Sequence, residues 1–260
     1  MKYNKIDVSK QNKIVTVFLN RPDIHNAMDE QLIKELTDCF KKLDKEKTTR
    51  IIVLTGKGKS FCAGADLNWM KSMIKYSKSE NIKDSNILLD LYETIYNCSK
   101  PVIAKVNGNA FGGGIGLFAV CDITIAISGC NFAFSEIKLG IIPAVISRYI
   151  SKRLKLLDMR RLFITGERFD SNYAKEIGLI DIIASEKEID NIVKKYIDIL
   201  WYSSPNAINE VKKLINTYEK LDSESYKKFT VEKISELRVS EEGQEGINAF
   251  LNKRKNKWSE

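Results

Sequence analysis

Two glycine-bearing turns are the parts of this sequence whose residue types could do chemistry. The first is Phe61–Leu67 (FCAGADL), and the second is Gly108–Gly114 (GNAFGGG). Each follows a short apolar run typical of a buried strand. Small residues at a strand-to-helix turn let a ligand approach backbone N–H groups, and the start of the helix favours negative charge there. Two such N–H groups could form an oxyanion hole, although tight turns that bind no ligand have the same pattern.

Several other chemistries are excluded by the same residues. No GxxxxGK[ST] phosphate loop occurs, and a dinucleotide fingerprint starting at Gly112 and Gly114 would need a third glycine where Leu117 stands. His25 is the only histidine, so a histidine-containing metal site is excluded and any Ser-His or Cys-His dyad would have to use it. We expect no metal and no cofactor, and chemistry that rests on carboxylates, backbone amides or hydroxyls.

The elements that must position these turns alternate between strands and helices. The predicted strands are Lys13–Asn20, Ile51–Thr55, Pro101–Val106 and Asp122–Ala126. An amphipathic helix is predicted from Asp29, and helical spacing recurs over Ile87–Ile95, while the polar stretch Lys71–Ser85 is interpreted as a mobile loop or frayed helix. Strands that alternate with helices indicate βαβ crossovers and a mostly parallel sheet, which is an α/β fold.

The strand pattern stops near Glu186. Four segments with helical periodicity follow: Ile189–Trp201, Asn206–Leu221, Ser225–Leu237 and Gly243–Lys253. The sequence therefore predicts an α/β core over residues 1–185 and a helical region over residues 186–260.

Composition and charge restrict the class of protein. The 260 residues are 43% apolar and 29% charged, an ordinary globular composition, and no apolar run reaches the roughly 18–20 residues of a membrane span. The N-terminal MKYNKIDVSKQNK lacks the apolar stretch of a signal peptide, and the five cysteines form no CxxC pair, so we expect a cytoplasmic protein with reduced thiols. The net charge is +8, but only nine of the 42 basic residues are arginine and the lysines alternate with acidic residues. This pattern favours a solvated surface, and no nucleic-acid partner or membrane association is expected.

Several separated motifs together resemble the enoyl-CoA hydratase/isomerase (crotonase) family. They are FCAGADL, VNGNAFGGG, CDITIA and FSEIKLGIIP, supported by RPDIHNAM near the N-terminus and EGINAFLNKRKNKW near the C-terminus. The resemblance runs from Ile14 to Trp258. It implies a crotonase-like spiral of ββα units, a C-terminal helical trimerisation region, and a homo-trimer or dimer of trimers. It also implies an acyl-CoA substrate whose thioester oxygen lies in an oxyanion hole.

Carried over by position, the resemblance implies that Ala65 and Gly113 supply the oxyanion-hole amides. Two preorganised donors facing a thioester enolate would stabilise it by several kcal/mol. The residues that the resemblance implies for contacts with substrate or CoA are His25, Ala27, Ala63, Ala65, Asp66, Leu67, Gly112, Gly113, Gly116 and Lys253. For His25 an exposed loop position, and for Lys253 a solvated surface position, remain open as alternatives.

The carboxylates of the motifs bear on the mechanism. In the best-known hydratases of the family, one glutamate lies two residues after the triple glycine and a second lies in the segment corresponding to FSEIKLG. The second is present as Glu136, whereas Gly116 stands in place of the first. This departure argues against a symmetrical two-glutamate mechanism. A glutamate between apolar walls would have its pKa raised toward neutrality, which suits proton exchange at the carbon next to the thioester.

A finer resemblance concerns AFGGGIGL and SEIKLGIIPAVISRYI, which are similar to bacterial methylglutaconyl-CoA hydratases and their isohexenyl homologues. Those sequences also have glycine at the position of Gly116. The resemblance implies hydration of a 3-branched glutaconyl-CoA in leucine or acyclic-terpene breakdown. We hypothesise that the distal carboxylate of the substrate orients the water, and that Gly116 makes room for the branch.

Two other functions remain as alternatives. The first is an isomerase that converts 3-enoyl-CoA to 2-enoyl-CoA, because Glu136 alone could remove and return the proton. The second is a catalytically silent acyl-CoA-binding or RNA-binding homologue that uses the basic surface. The two turns and Glu136 argue against silence, since neither is needed merely to hold CoA.

Overall fold

Two sheets, one long and one short, form the centre of the computed structural model, which describes residues 2–260. The larger has the order β1-β2-β3-β5-β7-β10, and the smaller has the order β4-β6-β8-β9. The strands are β1 Ile6–Gln11, β2 Ile14–Leu19, β3 Ile51–Gly56, β4 Ser60–Cys62, β5 Val102–Val106, β6 Asn109–Phe111, β7 Ile123–Ile127, β8 Asn131–Ala133, β9 Phe169–Asp170 and β10 Ile182–Ala184. Only the β1–β2 and β8–β9 pairs are antiparallel. The prediction of a mostly parallel α/β sheet is confirmed.

Three of the four inner strands of the large sheet are each followed by a short strand of the small sheet. β3 leads to β4, β5 leads to β6, and β7 leads to β8. The first two short strands then lead into helices, α2 and α4, so that the chain advances as a spiral of ββα units. All six residues of β3 are buried, as expected for a parallel strand covered on both faces. The repeat brings the segments that follow β4 and β6 side by side.

Eleven α-helices lie in residues 2–260. They are α1 Glu30–Lys45, α2 Leu67–Met73, α3 Lys78–Tyr96, α4 Gly113–Ala119, α5 Ala144–Ile150, α6 Leu156–Thr165, α7 Ser171–Glu176, α8 Ile189–Trp201, α9 Pro205–Tyr218, α10 Ser223–Val239 and α11 Glu241–Leu251. None of these helices is long and apolar enough to cross a membrane. The side chain of Asp29 caps α1 by accepting from the backbone of Leu32, which places the helix start where the sequence predicted it.

The prediction of a loop or frayed helix over Lys71–Ser85 is wrong. Two helices, α2 and α3, occupy most of that stretch. The start of α3 is fixed by a capping box, in which the Ser77 side chain accepts from the Glu80 backbone and the Glu80 carboxylate accepts from the Ser77 backbone. The abundance of polar residues reflects the exposed faces of these helices rather than an absence of structure.

The helices after Ala184 differ in how they pack. α8 covers the large sheet, where Ile189 and Val193 join a buried cluster with residues of β3, β5, β7 and β10. α9, α10 and α11 instead carry large apolar side chains that are exposed in the single chain, among them Ile215, Val231 and Phe250. The division at residue 185 therefore separates strands from helices but cuts through one packed core.

Candidate active site

The first glycine-bearing turn is fixed by the segment that precedes α1. Met28 pairs with Ala65 as a parallel bridge: the Met28 N–H donates to Gly64 O at 2.7 Å, and the Asp66 N–H donates to Met28 O at 2.8 Å. In such a bridge the N–H of the middle residue points away from the partner segment. Ala65 is exposed. Its amide is therefore held in a defined direction and is open to a ligand.

Two residues that the sequence analysis did not single out brace this segment. The buried Asn26 side chain donates to Lys57 O at 2.9 Å and to Ser60 O at 2.8 Å, and it accepts from the Arg21 backbone at 2.9 Å. The Arg21 guanidinium donates to Ala27 O at 2.5 Å. A buried asparagine with three hydrogen bonds ties the loop to the strand from which the turn emerges. Its position in the RPDIHNAM motif is the signal that could have identified it.

Arg21 also forms two ion pairs that stabilise the same region. Its guanidinium lies 3.0 Å from Asp29 and 3.0 Å from Asp66. Asp66 in turn caps α2, because its carboxylate accepts from the backbones of Asn68 at 2.7 Å and Trp69 at 3.2 Å. These contacts lower the pKa of the Asp66 carboxyl against the effect of its burial, so the ionised form is retained.

The second turn packs directly against the first. A Cβ at Gly114 would lie 2.4 Å from Cys62 O, and a Cβ at Gly64 would lie 2.8 Å from Phe111 O. These backbone approaches leave no room for side chains, which explains glycine at both positions. Gly112 adopts φ 50° and ψ −124°, a backbone conformation that is strained for any residue with a Cβ. The two turns therefore meet through their backbones.

Gly113 is the first residue of α4 and is half-exposed, whereas its neighbours Gly112 and Gly114 are buried. The first N–H groups of a helix have no intrahelical acceptor. In the part of the chain that the structure describes, neither the Gly113 N–H nor the Ala65 N–H donates to a protein acceptor. Two unpaired, accessible amides on touching turns are the donors that an oxyanion hole requires.

Glu136 lies in a short 3₁₀ turn, Ser135–Leu139, and its carboxyl is packed on the second glycine turn. A Cβ at Gly112 would lie 2.7 Å from Glu136 Oε1 and 3.1 Å from its Cδ. The Oε2 atom is buried and has no hydrogen-bond partner in the described chain. Burial raises the pKa of the Glu136 carboxyl above its ordinary value, and the backbone N–H of Glu136 offsets this only in part. A desolvated carboxyl with a free oxygen is suited to accept and return a proton.

Gly116 does not open space for a substrate, so that interpretation is wrong. A Cβ at this position would lie 2.4 Å from Cγ2 of Ile146 and 2.9 Å from Cζ of Tyr92, and both of these side chains are almost completely buried. The volume that a side chain at 116 would need is filled by the protein itself. A glutamate at 116 would be excluded by the same contacts.

Comparison with known proteins decides which family has this arrangement. The family model described as enoyl-CoA hydratase/isomerase matches residues 9–260. The chain belongs to the enoyl-CoA hydratase/isomerase family. It is 33% identical over 265 residues to enoyl-CoA hydratase AKT6-1 of Alternaria alternata, covering 99% of this chain and 85% of that protein. It is 31% identical over 257 residues to the short-chain-enoyl-CoA hydratase of Clostridium acetobutylicum, covering 98% and 97%.

The fold agrees with that assignment. The crystal structure of an enoyl-CoA hydratase from Shewanella pealeana matches this chain with a TM-score of 0.95 and 37% identity, covering 99% of this chain and 97% of the other. The crotonase-like architecture predicted from the motifs is confirmed. Within residues 2–260 of this member of the enoyl-CoA hydratase/isomerase family, no group of three or more His, Cys, Asp or Glu side chains is arranged to hold a metal ion.

The other residues predicted to bind substrate or CoA lie along the first turn. His25 is exposed, its Nδ1 lies 3.0 Å from Ser60 Oγ, and its carbonyl accepts from the Ala63 backbone at 2.9 Å. Ala63 is half-buried and Ala27 is buried. Leu67 is 75% exposed at the start of α2, which is unusual for a leucine unless another molecule covers it. A binding role for these residues remains a prediction.

The side chains of Asp66 and Lys253 are not placed for the predicted contacts with substrate or CoA. The Asp66 carboxylate is committed to Arg21 and to the cap of α2, which leaves its backbone for any ligand contact. Lys253 is exposed in the C-terminal tail, and that tail is held by the Arg50 guanidinium, which bonds to the Trp258 carbonyl. Arg50 precedes β3, whereas the first turn follows the opposite end of that strand. Within one chain the structure does not bring Lys253 to the turns.

Proposed function

We propose that this chain is an enoyl-CoA hydratase that adds water across the 2,3-double bond of an acyl-CoA. The observation that carries the proposal is the Glu136 carboxyl, with its buried, unpartnered Oε2, packed on Gly112 directly before the unpaired amide of Gly113, with the Ala65 amide on the adjoining turn. The names of the related hydratases support the same activity.

In the proposed reaction the thioester oxygen accepts hydrogen bonds from the Ala65 and Gly113 amides. Addition of the water oxygen to C3 moves electrons into the thioester and produces an enolate, whose negative charge these donors stabilise. Glu136 transfers its proton to C2, and the proton released by the water returns to the Glu136 carboxylate. The carboxyl therefore ends in the protonation state in which it began, and the product has gained one water.

We further propose that the substrate is of the 3-methylglutaconyl-CoA type. The position of the first glutamate of the best-known hydratases is occupied here by Gly116, with Tyr92 and Ile146 packed over it, so no protein carboxylate at 116 can hold the water. A distal carboxylate on the substrate would supply that missing acceptor.

An isomerase that converts 3-enoyl-CoA to 2-enoyl-CoA is the second candidate. It is favoured by the one carboxyl packed on the second turn, because Glu136 could remove a proton from C2 and return it at C4 of the same substrate. Hydration and isomerisation share the oxyanion hole and differ in whether water is added.

The test is to incubate the protein with crotonyl-CoA, 3-methylglutaconyl-CoA and a 3-enoyl-CoA and to follow the products by mass spectrometry. We expect 3-methylglutaconyl-CoA to gain the mass of one water rapidly and crotonyl-CoA to react slowly. An unchanged mass with a displaced double bond in the 3-enoyl-CoA reaction alone would replace hydratase by isomerase. Fast hydration of crotonyl-CoA would contradict the role given to the distal carboxylate.

We also propose that the protein is a homo-trimer or a dimer of trimers. The support is the row of exposed apolar side chains on α9, α10 and α11, such as Ile215, Val231 and Phe250, which a neighbouring subunit would bury. A neighbouring subunit could also bring Lys253 to the CoA phosphates. Light scattering at micromolar concentration should give the mass of three or six chains of 29.7 kDa. A stable species with the mass of one chain would contradict this assembly.

A further inference from the structure

We propose that Tyr92 is a positioning residue that holds the Gly113 amide in its catalytic orientation, and that glycine occupies position 116 in order to admit the Tyr92 ring. This inference deepens the proposed function, on which its kinetic test rests. It assigns a role to a residue of α3 that lies in none of the family motifs.

The first observation is a hydrogen bond. The Tyr92 hydroxyl donates to the Gly113 carbonyl at 2.8 Å, and a Cβ at Gly113 would lie 3.0 Å from the same hydroxyl. Gly113 lies within a run of three glycines, which have more backbone freedom than any other residue. An oxyanion donor must be oriented before the charge develops, since reorienting it during the reaction would cost part of the stabilisation. The Gly113 carbonyl and N–H belong to successive peptide planes that meet at its Cα. The Tyr92 bond therefore restrains the N–H through the Gly113 backbone.

The second observation explains the missing glutamate. A Cβ at Gly116 would lie 2.9 Å from Cζ and 3.0 Å from Cε1 of Tyr92. These are atoms of a rigid, fully buried ring, which cannot move aside as the end of a flexible chain can. A side chain at 116 would therefore collide with the Tyr92 ring, as it would with Cγ2 of Ile146, which lies closer at 2.4 Å. The space that a side chain at 116 would need is thus occupied in part by the ring whose hydroxyl contacts the oxyanion turn.

The hydroxyl acts through Gly113 rather than on the substrate. Its only proton is used in the bond to the Gly113 carbonyl, and the side chain has no exposed surface. Burial, with a further contribution from the nearby Cys62 and Glu136, raises the pKa of Tyr92 well above its ordinary value, so the hydroxyl stays protonated and keeps donating. Glu136 remains the group that exchanges the proton.

The test compares Tyr92→Phe with a matched control, Tyr96→Phe, one helical turn further along α3. The centroid of the Tyr96 ring lies 5.3 Å from that of Tyr149, and its hydroxyl makes no hydrogen bond within residues 2–260. For Tyr92→Phe we expect kcat for hydration to fall about 5- to 20-fold, less than the loss of a whole oxyanion donor, with KM changed less than about twofold. Tyr96→Phe should match the wild type.

A spectroscopic reading separates orientation of the amide from general loosening. Bound 4-(dimethylamino)cinnamoyl-CoA, a chromophore polarised by hydrogen bonds to its thioester oxygen, should absorb at shorter wavelength in Tyr92→Phe than in the wild type and in Tyr96→Phe. Replacement of Tyr92 by 4-aminophenylalanine, which keeps a donor at the ring tip, should restore most of kcat and the wild-type band. If Tyr92→Phe does not fold, this variant decides the matter alone.

Wild-type kcat and an unshifted absorption band in Tyr92→Phe would overturn the inference. So would a 4-aminophenylalanine variant whose kcat is as low as the value expected for Tyr92→Phe. Failure of the proposed function would be seen differently: the wild type itself would add no water to any acyl-CoA. In that case the band position of the bound chromophore in the variants still tests whether Tyr92 orients the amide.

Discussion

Replacement of Glu136 by glutamine should lower kcat by about 10²- to 10⁴-fold and leave KM almost unchanged. Glutamine keeps the size of the side chain and can occupy the space against Gly112, but it cannot exchange a proton with C2. Steady-state hydration of 3-methylglutaconyl-CoA checks both parameters. Near-normal turnover of the variant would show that the proton is carried by another group.

Glu136→Gln should also be more stable than the wild type at neutral pH. That result would exclude unfolding as the cause of its low activity. Burial raises the pKa of Glu136 in the folded protein above the unfolded value, so this group favours folding below its unfolded pKa and loses that contribution as pH rises through the folded pKa. Glutamine has no charge to lose. Thermal unfolding should show the stability gain at neutral pH shrinking toward zero in acid, and a destabilised variant at neutral pH would contradict the desolvated environment of Glu136.

Replacement of Gly113 by proline should lower kcat by about 10²- to 10³-fold, because it removes one of the two oxyanion donors. Proline is well tolerated at the first position of a helix, where the N–H has no intrahelical acceptor, so α4 should still begin there. Hydration kinetics, with circular dichroism to confirm folding, provide the measurement.

Gly113→Ala is the matched control, since it keeps the N–H and adds only a Cβ. That Cβ would lie 2.7 Å from the flexible end of Met28 and 3.0 Å from the Tyr92 hydroxyl, so a smaller loss of activity is expected. If alanine were as damaging as proline, crowding rather than the missing donor would explain the effect. A proline variant that kept more than about a tenth of wild-type kcat would remove Gly113 from the oxyanion hole.

The main elements of the site could be predicted from the sequence because they depend on local patterns. The apolar runs of β3 and β5 and the glycines that follow them specify strands and close backbone turns without knowledge of the rest of the chain. Glu136 was identifiable because its flanking motif is specific. The structure adds what the motif could not provide, namely that the Glu136 carboxyl packs on Gly112 and has an unpartnered oxygen.

The parts that could not be predicted depend on contacts distant in sequence. The brace formed by Asn26 joins it to Lys57 and Ser60, more than 30 residues away, and a lone asparagine in a loop carries no signal of such partners. The role of Gly116 was misread for the same reason, since its neighbour Tyr92 comes from α3, whose polar sequence hides a fully buried face near its end. Strands of three residues, such as β4 and β6, are too short for a periodic pattern and are defined by their pairing.

The central claim is that the thioester oxygen lies between the amides of Ala65 and Gly113, with Glu136 beside C2. A crystal structure of the Glu136→Gln variant with bound 3-methylglutaconyl-CoA tests this claim most directly. The account predicts that the thioester oxygen lies about 2.7–3.2 Å from both amide nitrogens, and that the residue-136 side chain faces C2. An oxygen beyond hydrogen-bond reach of both amides, or a side chain at 136 turned away from C2, would contradict the account.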